Sequence, residues 1–84
     1  MAHLIKYLSS AKRELNVLPQ NTHKRIIKAI SKLKYNPRPS GCKKLKDLDT
    51  YRIRVGDYRV IYEIHDNVLV VLVVRVAHRR EAYQ

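Results

Sequence analysis

Length, composition and charge limit what this chain can be. Its 84 residues predict one domain, residues 1–84, against a usual size of about 150 residues per domain, and 45% hydrophobic with 30% charged residues indicates a folded core. Eighteen Lys and Arg against seven Asp and Glu give a net charge of +11, which attracts polyanions and argues against a free-standing enzyme for cationic or apolar substrates. Charge alone does not distinguish RNA from DNA, anionic lipid or an acidic protein.

Cysteine content and hydropathy indicate a cytoplasmic protein. Cys42 is the only cysteine, so an internal disulfide is excluded, and no Cys/His cluster has zinc-ligand spacing. The apolar run from Val68 to Val74 is far shorter than the ~20 residues that span a bilayer, and no signal-peptide core follows Met1. We expect neither a metal site nor export.

The first half of the chain predicts a strand and two helices and holds the excess charge. Residues 3–8 are apolar and precede Ser9-Ser10, which predicts a strand followed by a helix N-cap. Helical spacing of apolar residues then predicts a short helix that ends before Pro19. Residues 1–46 contain twelve Lys and Arg, and Glu14 is their only acid, whereas residues 47–84 contain six of each sign.

A second helix is predicted from Asn21 or Thr22 to a stop at Asn36-Pro37. Its apolar face consists of Ile26, Ile27, Ile30 and Leu33. Its opposite face consists of Lys24, Lys28 and Lys32. Like charges at this spacing repel one another, so the lysine face is either a solvated surface or a docking surface for an anionic partner.

After the loop at residues 37–41 the period changes from 3.6 to 2, which predicts a β-hairpin with Gly56-Asp57 as its two-residue connection. This connection pairs Val55 with Tyr58 and Arg54 with Arg59. Further along the hairpin, Ile53 faces Val60 and Arg52 faces Ile61. Tyr51, Tyr58 and Tyr62 alternate with polar residues and are predicted to face the core.

Directly paired residues share a face of the sheet, so this register places Arg52, Arg54 and Arg59 on one face. We call these three the hairpin arginines. Like charges opposite one another are destabilising, and arginine does not lose its proton to relieve the repulsion. The face is either a solvated polar surface or a basic surface for phosphate, and the second reading accounts for the cost.

A third strand is predicted at Val68–Val74 after a turn at Asp66-Asn67, interior to the sheet because it has no polar alternation. Pairing across that turn predicts Val74 opposite Arg59 and Arg75 opposite Tyr58. His78 then emerges close to the hairpin arginines. Its ordinary pKa near neutrality suits proton transfer, and a phosphate contact is the alternative role.

The hairpin segment from Tyr51 to Ile64, preceded by Lys43-Lys-Leu-Lys46 and followed by Arg75-Val-Ala-His-Arg-Arg-Glu-Ala-Tyr83, closely resembles the RelE branch of the RelE/ParE toxin superfamily. The resemblance covers nearly the whole chain. It implies an α+β fold in which two N-terminal helices pack on a small antiparallel sheet, in the order β-α-α-β-β-β. It further implies a type II toxin that is inhibited by a small antitoxin, which we expect to be acidic.

RelE-like toxins enter the ribosomal A site and cut mRNA, so the resemblance implies a metal-independent endoribonuclease without a cofactor. A ribose 2′-OH attacks the adjacent phosphate, which requires a base, an acid and charge stabilisation. The residues that match the catalytic pattern are Arg52, Arg54, Arg59, His78, Arg79 and Tyr83. The cations expected to bind the nucleic acid around them are Lys43, Lys44, Lys46, Arg75 and Arg80.

The chain departs from its relatives at two positions. Some relatives have lysine where this chain has Arg54, and because arginine stays protonated, a base at that position is in doubt and His78 becomes the better proton-transfer candidate. Relatives usually have glycine at Ala77, so the backbone before His78 is more restricted here.

Two other functions remain open from the sequence. A ParE-like toxin has the same fold and poisons DNA gyrase without nuclease activity, although such relatives tend to lack the basic C-terminal set. A plain RNA-binding module would use every arginine as a backbone contact and catalyse nothing.

Overall fold

The computed structural model describes residues 2–45 and 49–78, and both predicted helices are present in it. The elements in chain order are β1 (Leu4–Tyr7), α1 (Ser9–Asn16), α2 (Gln20–Lys32), β2 (Lys43–Lys44), β3 (Thr50–Val55), β4 (Tyr58–His65) and β5 (Val70–His78). In the described part of the chain, no helix is long and apolar enough to cross a membrane.

Each helix buries the apolar stripe that its sequence predicts. Ala11 and Leu15 of α1 are buried, as are Ile26 and Ile30 of α2 and Leu33 just after it. Lys24, Lys28 and Lys32 are exposed on the opposite side of α2. The helices therefore attach to the sheet by apolar burial and leave the lysine face to solvent.

The predicted start of each helix is wrong by one or two residues. Leu8 occupies the N-cap position of α1 without a side-chain cap, and the Ser10 hydroxyl instead donates to the Val74 carbonyl at 3.0 Å. Helix α2 begins at Gln20 with Pro19 at the N-cap, where the fixed φ of proline suits the entry to a helix. The serine thus ties α1 to β5.

The predicted α+β class is confirmed, and the sheet is larger than expected. Five strands lie in the order β1-β5-β4-β3-β2. The pairs among β2, β3, β4 and β5 are antiparallel, whereas β1 lies parallel to β5, so the sheet is mixed. Strand β2 was not predicted, because two lysines in a polar stretch have no strand pattern.

The hairpin register is confirmed at every predicted pair, including Arg54 with Arg59 and Ile53 with Val60. Gly56 has a φ of +60° in the connection, and Asp57 is not among the residues with positive φ. That combination matches a type II′ turn, which requires glycine at its first central position. A two-residue turn fixes the register of its strands, so the prediction follows directly from the sequence.

The predicted register between β4 and β5 is wrong. Arg59 pairs with Ala77, three residues beyond the expected Val74, and Tyr58 pairs with His78 in place of Arg75. The first cause is a longer turn, because His65 pairs with Val70 and Leu69 has a left-handed φ of 55°.

The second cause is a β-bulge in β5. Ile61 pairs with Arg75 and the next residue of β4, Tyr62, pairs with Val73, so Val74 is an extra residue in the ladder. Val68 is exposed in the turn and does not belong to the strand. Side chains alternate between the two faces along a strand. A register that is wrong by an odd number of residues therefore puts every later side chain of β5 on the face opposite to the one predicted.

The sheet has two chemically different faces. On the first, which we call the helix face, strand residues form one buried cluster with the helices, including Tyr51, Ile53, Val60, Tyr62, Ile64, Val71, Val73 and Val76. The second contains the hairpin arginines and we call it the arginine face. In the described residues, both helices pack on the helix face.

Candidate functional site

The arginine face contains two rows of paired residues that run across the strands. The first row joins Lys43 of β2, Arg52 of β3, Ile61 of β4 and Arg75 of β5. The second row joins Arg54, Arg59 and Ala77. Because paired residues share a face, five cations from four strands converge on one surface.

The hairpin arginines differ in exposure. Arg52 is 8% exposed and Arg59 is 6% exposed, whereas Arg54 is open to solvent. Burying a guanidinium is costly because the charge leaves water. Burial also restricts the rotamers of the long side chain, so the planar donor groups of Arg52 and Arg59 are held in position. The site combines two fixed guanidinium groups with one accessible group.

Glu14 of α1 fastens the end of β5. Its Oε2 accepts hydrogen bonds from Arg75 Nη2 at 2.8 Å and Nε at 3.3 Å, and its Oε1 accepts one from the Val76 backbone N–H at 2.9 Å. Strand β1 pairs with β5 only as far as Val73; beyond that point the Ser10 hydroxyl binds the Val74 carbonyl and the Glu14 carboxylate accepts from the Val76 N–H. The sequence carries one signal for this role, since Glu14 is the only acid in residues 1–46.

His78 lies at the hairpin end of β5, close to the hairpin arginines in the sheet as predicted, but the shifted register places its side chain on the helix face. It pairs with Tyr58, and their rings meet edge to face with centroids 5.4 Å apart and planes at 80°. Its neighbour Ala77 is 2% exposed and pairs with Arg59. His78 therefore shares the hairpin end of the sheet with the arginines, but its side chain leaves the strand from the other face.

A cavity of about 250 Å³ adjoins His78 and Tyr58 on the helix face. Glu14 of α1 and Leu18, in the connection between α1 and α2, also line it. His78 is partly exposed there. A proton donor or acceptor at this position reaches solvent from the side opposite the hairpin arginines.

Arg38, in the loop before β2, shows a different use of arginine. Its Nη2 donates to Asp66 Oδ2 at 2.9 Å and its Nε donates to the Tyr51 hydroxyl at 3.2 Å. The Asp66 Oδ1 atom lies 3.0 Å from His3 Nε2. The hydrogen bonds that Asp66 accepts from Arg38 and, to a smaller extent, from His3 lower the pKa of its carboxyl below the ordinary value. The Arg38–Asp66 ion pair joins the loop at residues 37–41 to the turn between β4 and β5.

The remaining predicted site residues are divided. Lys43 pairs with Arg52 and shares the arginine face with it. Lys44 pairs with Tyr51 and therefore lies on the helix face. Lys46, Arg79, Arg80 and Tyr83 lie outside the described residues. The structure thus brings together Arg52, Arg54, Arg59, Lys43 and Arg75, and it separates His78 and Lys44 from that face.

The family model and the similar proteins agree that this chain resembles toxins of type II toxin-antitoxin systems. A family described as ParE toxin of type II toxin-antitoxin system, parDE, matches residues 4–83. Toxin RelG of Mycobacterium tuberculosis is 29% identical, with 100% of this chain and 99% of that protein covered. Putative toxin RelE1 of Methanocaldococcus jannaschii is 32% identical, with 86% and 84% covered.

The fold agrees with this relationship. A chain in the crystal structure of the archaeal RelE–RelB complex from Pyrococcus horikoshii superposes with a TM-score of 0.85 at 31% identity, covering 96% of this chain and 99% of that chain. The two helices and the sheet of this chain therefore have the arrangement found in a chain of that RelE–RelB complex.

Proposed function

We propose a function from one premise: this chain belongs to the RelE/ParE family of type II toxin-antitoxin toxins, and its relatives assign it to the RelE branch. The proposed activity is ribosome-dependent cleavage of mRNA in the A site, which inhibits translation. The observation that carries the proposal is the arginine face. Its arginines from neighbouring strands lie on one face of the sheet, which creates a surface suited to an anionic backbone.

The proposed reaction is attack of a ribose 2′-OH on the adjacent phosphate. The 2′-OH gives its proton to a general base as the new P–O bond forms a 2′,3′-cyclic phosphate, and the bond to the 5′-oxygen breaks as that oxygen takes a proton from a general acid. Negative charge accumulates on the non-bridging oxygens in the transition state, and bidentate guanidinium groups stabilise it. We assign this role to Arg52, Arg54 and Arg59, and add Arg79 from the family resemblance.

Proton transfer is assigned to His78, with Tyr83 orienting the substrate. Since His78 faces the side of the sheet opposite the arginines, RNA held on the arginine face must pass around the hairpin end to reach the imidazole. This geometry favours a role at the leaving group or at a neighbouring phosphate. His78→Ala is therefore expected to reduce the cleavage rate less than loss of a hairpin arginine does.

The proposed partner is an acidic antitoxin that forms an equimolar complex with the toxin and covers the arginine face. The net charge of +11 and the exposed lysines of α2 support an anionic partner. The matched Pyrococcus horikoshii chain was crystallised in a RelE–RelB complex. Co-expression with the product of an adjacent reading frame should yield a complex whose mRNA cleavage is suppressed. A fully active toxin in that preparation would count against the partner.

The second candidate function is inhibition of DNA gyrase by a ParE-like toxin. One observation favours it: the family model that matches residues 4–83 is described as the ParE toxin of the parDE system. One experiment separates the alternatives. Purified protein is incubated with ribosomes programmed with a defined mRNA, with the same mRNA free of ribosomes, and with gyrase and relaxed plasmid. Cleavage confined to ribosome-bound mRNA supports the proposal. Inhibited supercoiling with intact mRNA supports the ParE-like alternative, and RNA binding without either effect supports a plain binding module.

A further inference from the structure

The last part of β5, residues 74–78, has a neighbouring strand on one side. Among the described residues β4 pairs with it, whereas pairing with β1 stops at Val73, so its other edge has no strand beside it. The β-bulge at Val74 makes the ladder irregular at the same place. Yet these residues include Arg75 of the arginine face and His78, the proposed proton-transfer residue. A second support therefore decides whether both side chains keep their positions.

Helix α1 provides this support with two side chains four residues apart. The Ser10 hydroxyl donates to the Val74 carbonyl at 3.0 Å, and Glu14 Oε1 accepts from the Val76 N–H at 2.9 Å. Residues four apart lie on the same face of a helix, so both side chains reach β5 together. A hydrogen-bond donor and an acceptor are what the backbone of a neighbouring strand offers. Ser10 and Glu14 thus take the place of β1 along the last part of β5.

The local chemistry indicates that these two contacts serve β5 and not the helix. Serine is a favoured helix cap, yet Leu8 occupies the N-cap position of α1 without a side-chain cap, and the Ser10 hydroxyl binds β5 instead. Val76 is only 3% exposed, so its N–H would be costly to leave without an acceptor. The start of α1 is therefore less well capped than its sequence allows, and the end of β5 is fixed.

Glu14 also fixes the arginine that this part of β5 contributes. Its Oε2 accepts from Arg75 Nη2 at 2.8 Å and from Arg75 Nε at 3.3 Å, so it occupies one edge of the guanidinium group. The Nη1 group takes no part in these two bonds and can donate to a phosphate. A long side chain that is held at one edge has lost rotamer freedom before the substrate arrives. A residue of the helical layer thus orients a cation of the arginine face.

We propose that Ser10 and Glu14 are positioning residues for mRNA cleavage, which fix the last part of β5 and with it Arg75 and His78. The inference rests on the proposed function for its reaction. Ser10 acts through the backbone of β5, and Glu14 acts through that backbone and through the Arg75 guanidinium. A misplaced group slows the chemical step, whereas the positive charge that attracts the ribosome is unchanged in Ser10→Ala. The cleavage rate and the affinity for ribosomes should therefore separate.

Two adjacent serines supply a matched pair of variants. Ser9 is exposed, and Ser10 binds β5. The single-turnover rate on programmed ribosomes is measured over a range of toxin concentrations, which gives the maximal rate and the half-saturating concentration. Ser10→Ala should lower the maximal rate about fivefold and keep the half-saturating concentration within about twofold of wild type. Ser9→Ala makes the same chemical change and should alter neither.

A graded pair of variants at Glu14 tests the two contacts of its carboxylate. Glu14→Gln keeps an oxygen for the Val76 N–H and loses the charged contact with Arg75, so the maximal rate should fall about threefold. Glu14→Ala loses both contacts, and its maximal rate should fall about tenfold. Ile26→Val trims a fully buried side chain of α2, controls for a general loss of stability and should cleave at the wild-type rate. All variants are compared at a temperature where circular dichroism shows each to be folded.

Nuclear magnetic resonance of the full chain without ribosomes reports the position of β5 directly. The amide chemical shifts of residues 75–78 should change in Ser10→Ala and Glu14→Ala and match wild type in Ser9→Ala. Changed shifts together with slower cleavage support the proposal. Wild-type cleavage rates in Ser10→Ala and Glu14→Ala, slower cleavage with unchanged shifts, or an equal loss of rate in Ile26→Val overturn the positioning role and leave the proposed function standing. Intact mRNA with the wild-type protein overturns the proposed function, and the positioning role with it.

Discussion

On the helix face of the sheet, Val60, Tyr62 and Val73 are completely buried against two helices, whereas on the arginine face Arg54 stands opposite Arg59 across the same strands. Apolar burial stabilises the first arrangement, and repulsion between like charges opposes the second. The hairpin thus has one face that serves folding and one that gathers cations, which we propose to be the face that binds an anionic ligand.

Two other arginines of the described chain, Arg38 in the loop before β2 and Arg75 at the β5 end of the arginine face, sharpen this contrast. Arg38 is held by Asp66 and Arg75 by Glu14, each at 2.8–2.9 Å, so their charges have acidic partners in structural contacts. Arg54 is exposed and points from the sheet beside two buried arginines. We therefore expect substitutions on the two faces to separate stability from activity.

The largest expected effect is on the helix face, for Tyr62→Ala. Tyr62 is fully buried, stacks on Tyr51 with centroids 6.1 Å apart and donates its hydroxyl hydrogen to the Pro37 carbonyl at 2.7 Å. Loss of the ring should lower the free energy of unfolding by about 4 kcal/mol, measured by urea denaturation. Tyr62→Phe keeps the ring and should lose about 1 kcal/mol. Equal losses would show that the hydroxyl, and not packing, stabilises this face.

The next effect concerns Glu14→Ala, at the join between α1 and β5. Removal of the carboxylate takes away the acceptor of the Val76 N–H and should lower the free energy of unfolding by about 2 kcal/mol. Glu14→Gln keeps an acceptor oxygen and loses only the ion pair with the half-exposed Arg75, so it should lose about 0.5 kcal/mol. Hydrogen exchange at the Val76 amide tests whether the lost hydrogen bond is the cause. Unchanged protection of that amide in Glu14→Ala would contradict the role of Glu14 as its acceptor.

A smaller effect of opposite sign is expected on the arginine face. Arg54→Gln removes one of the two opposed charges, and the free energy of unfolding should rise by about 0.5 kcal/mol. Because repulsion between exposed charges is screened, added salt should reduce the gain. Urea denaturation at low and high salt measures both. A clear loss of stability would mean that Arg54 serves the fold.

The smallest effect is a pH dependence at Asp66. The folded-state pKa of this carboxyl is lowered, mainly by the hydrogen bond from Arg38 and then by the one from His3. A lowered pKa means that the stabilisation is present above the unfolded value, about 3.9, and is lost as pH falls through the folded value. Urea midpoints of the wild type and Asp66→Asn should therefore differ at pH 6 and converge in acid. A constant difference would contradict the ion pair.

The sequence was a good guide to the hairpin and a poor guide to β5, for physical reasons. A two-residue connection at Gly56-Asp57 allows one register, so the positions of Arg52, Arg54 and Arg59 followed from alternation alone. Apolar spacing likewise predicted the buried faces of both helices.

The placement of His78 depended on features without a sequence signal. Val68 and Leu69 look like strand residues but complete a turn, and Leu69 adopts a left-handed φ without being glycine. Val74 is bulged within an apolar run where each residue resembles its neighbours. Together these features shift the register by an odd number of residues, which moved His78 to the helix face.

The most direct test of the account is the single-turnover rate of A-site cleavage on programmed ribosomes for two arginine variants with the same change in charge. Arg54 lies on the arginine face, and Arg13 is exposed in the last turn of α1. Arg54→Gln should cleave about 100-fold more slowly than wild type, the typical loss when one donor to a transition-state anion is removed. Arg13→Gln should stay within about twofold, since only general attraction changes. Equal rates for the two variants would contradict a catalytic arginine face.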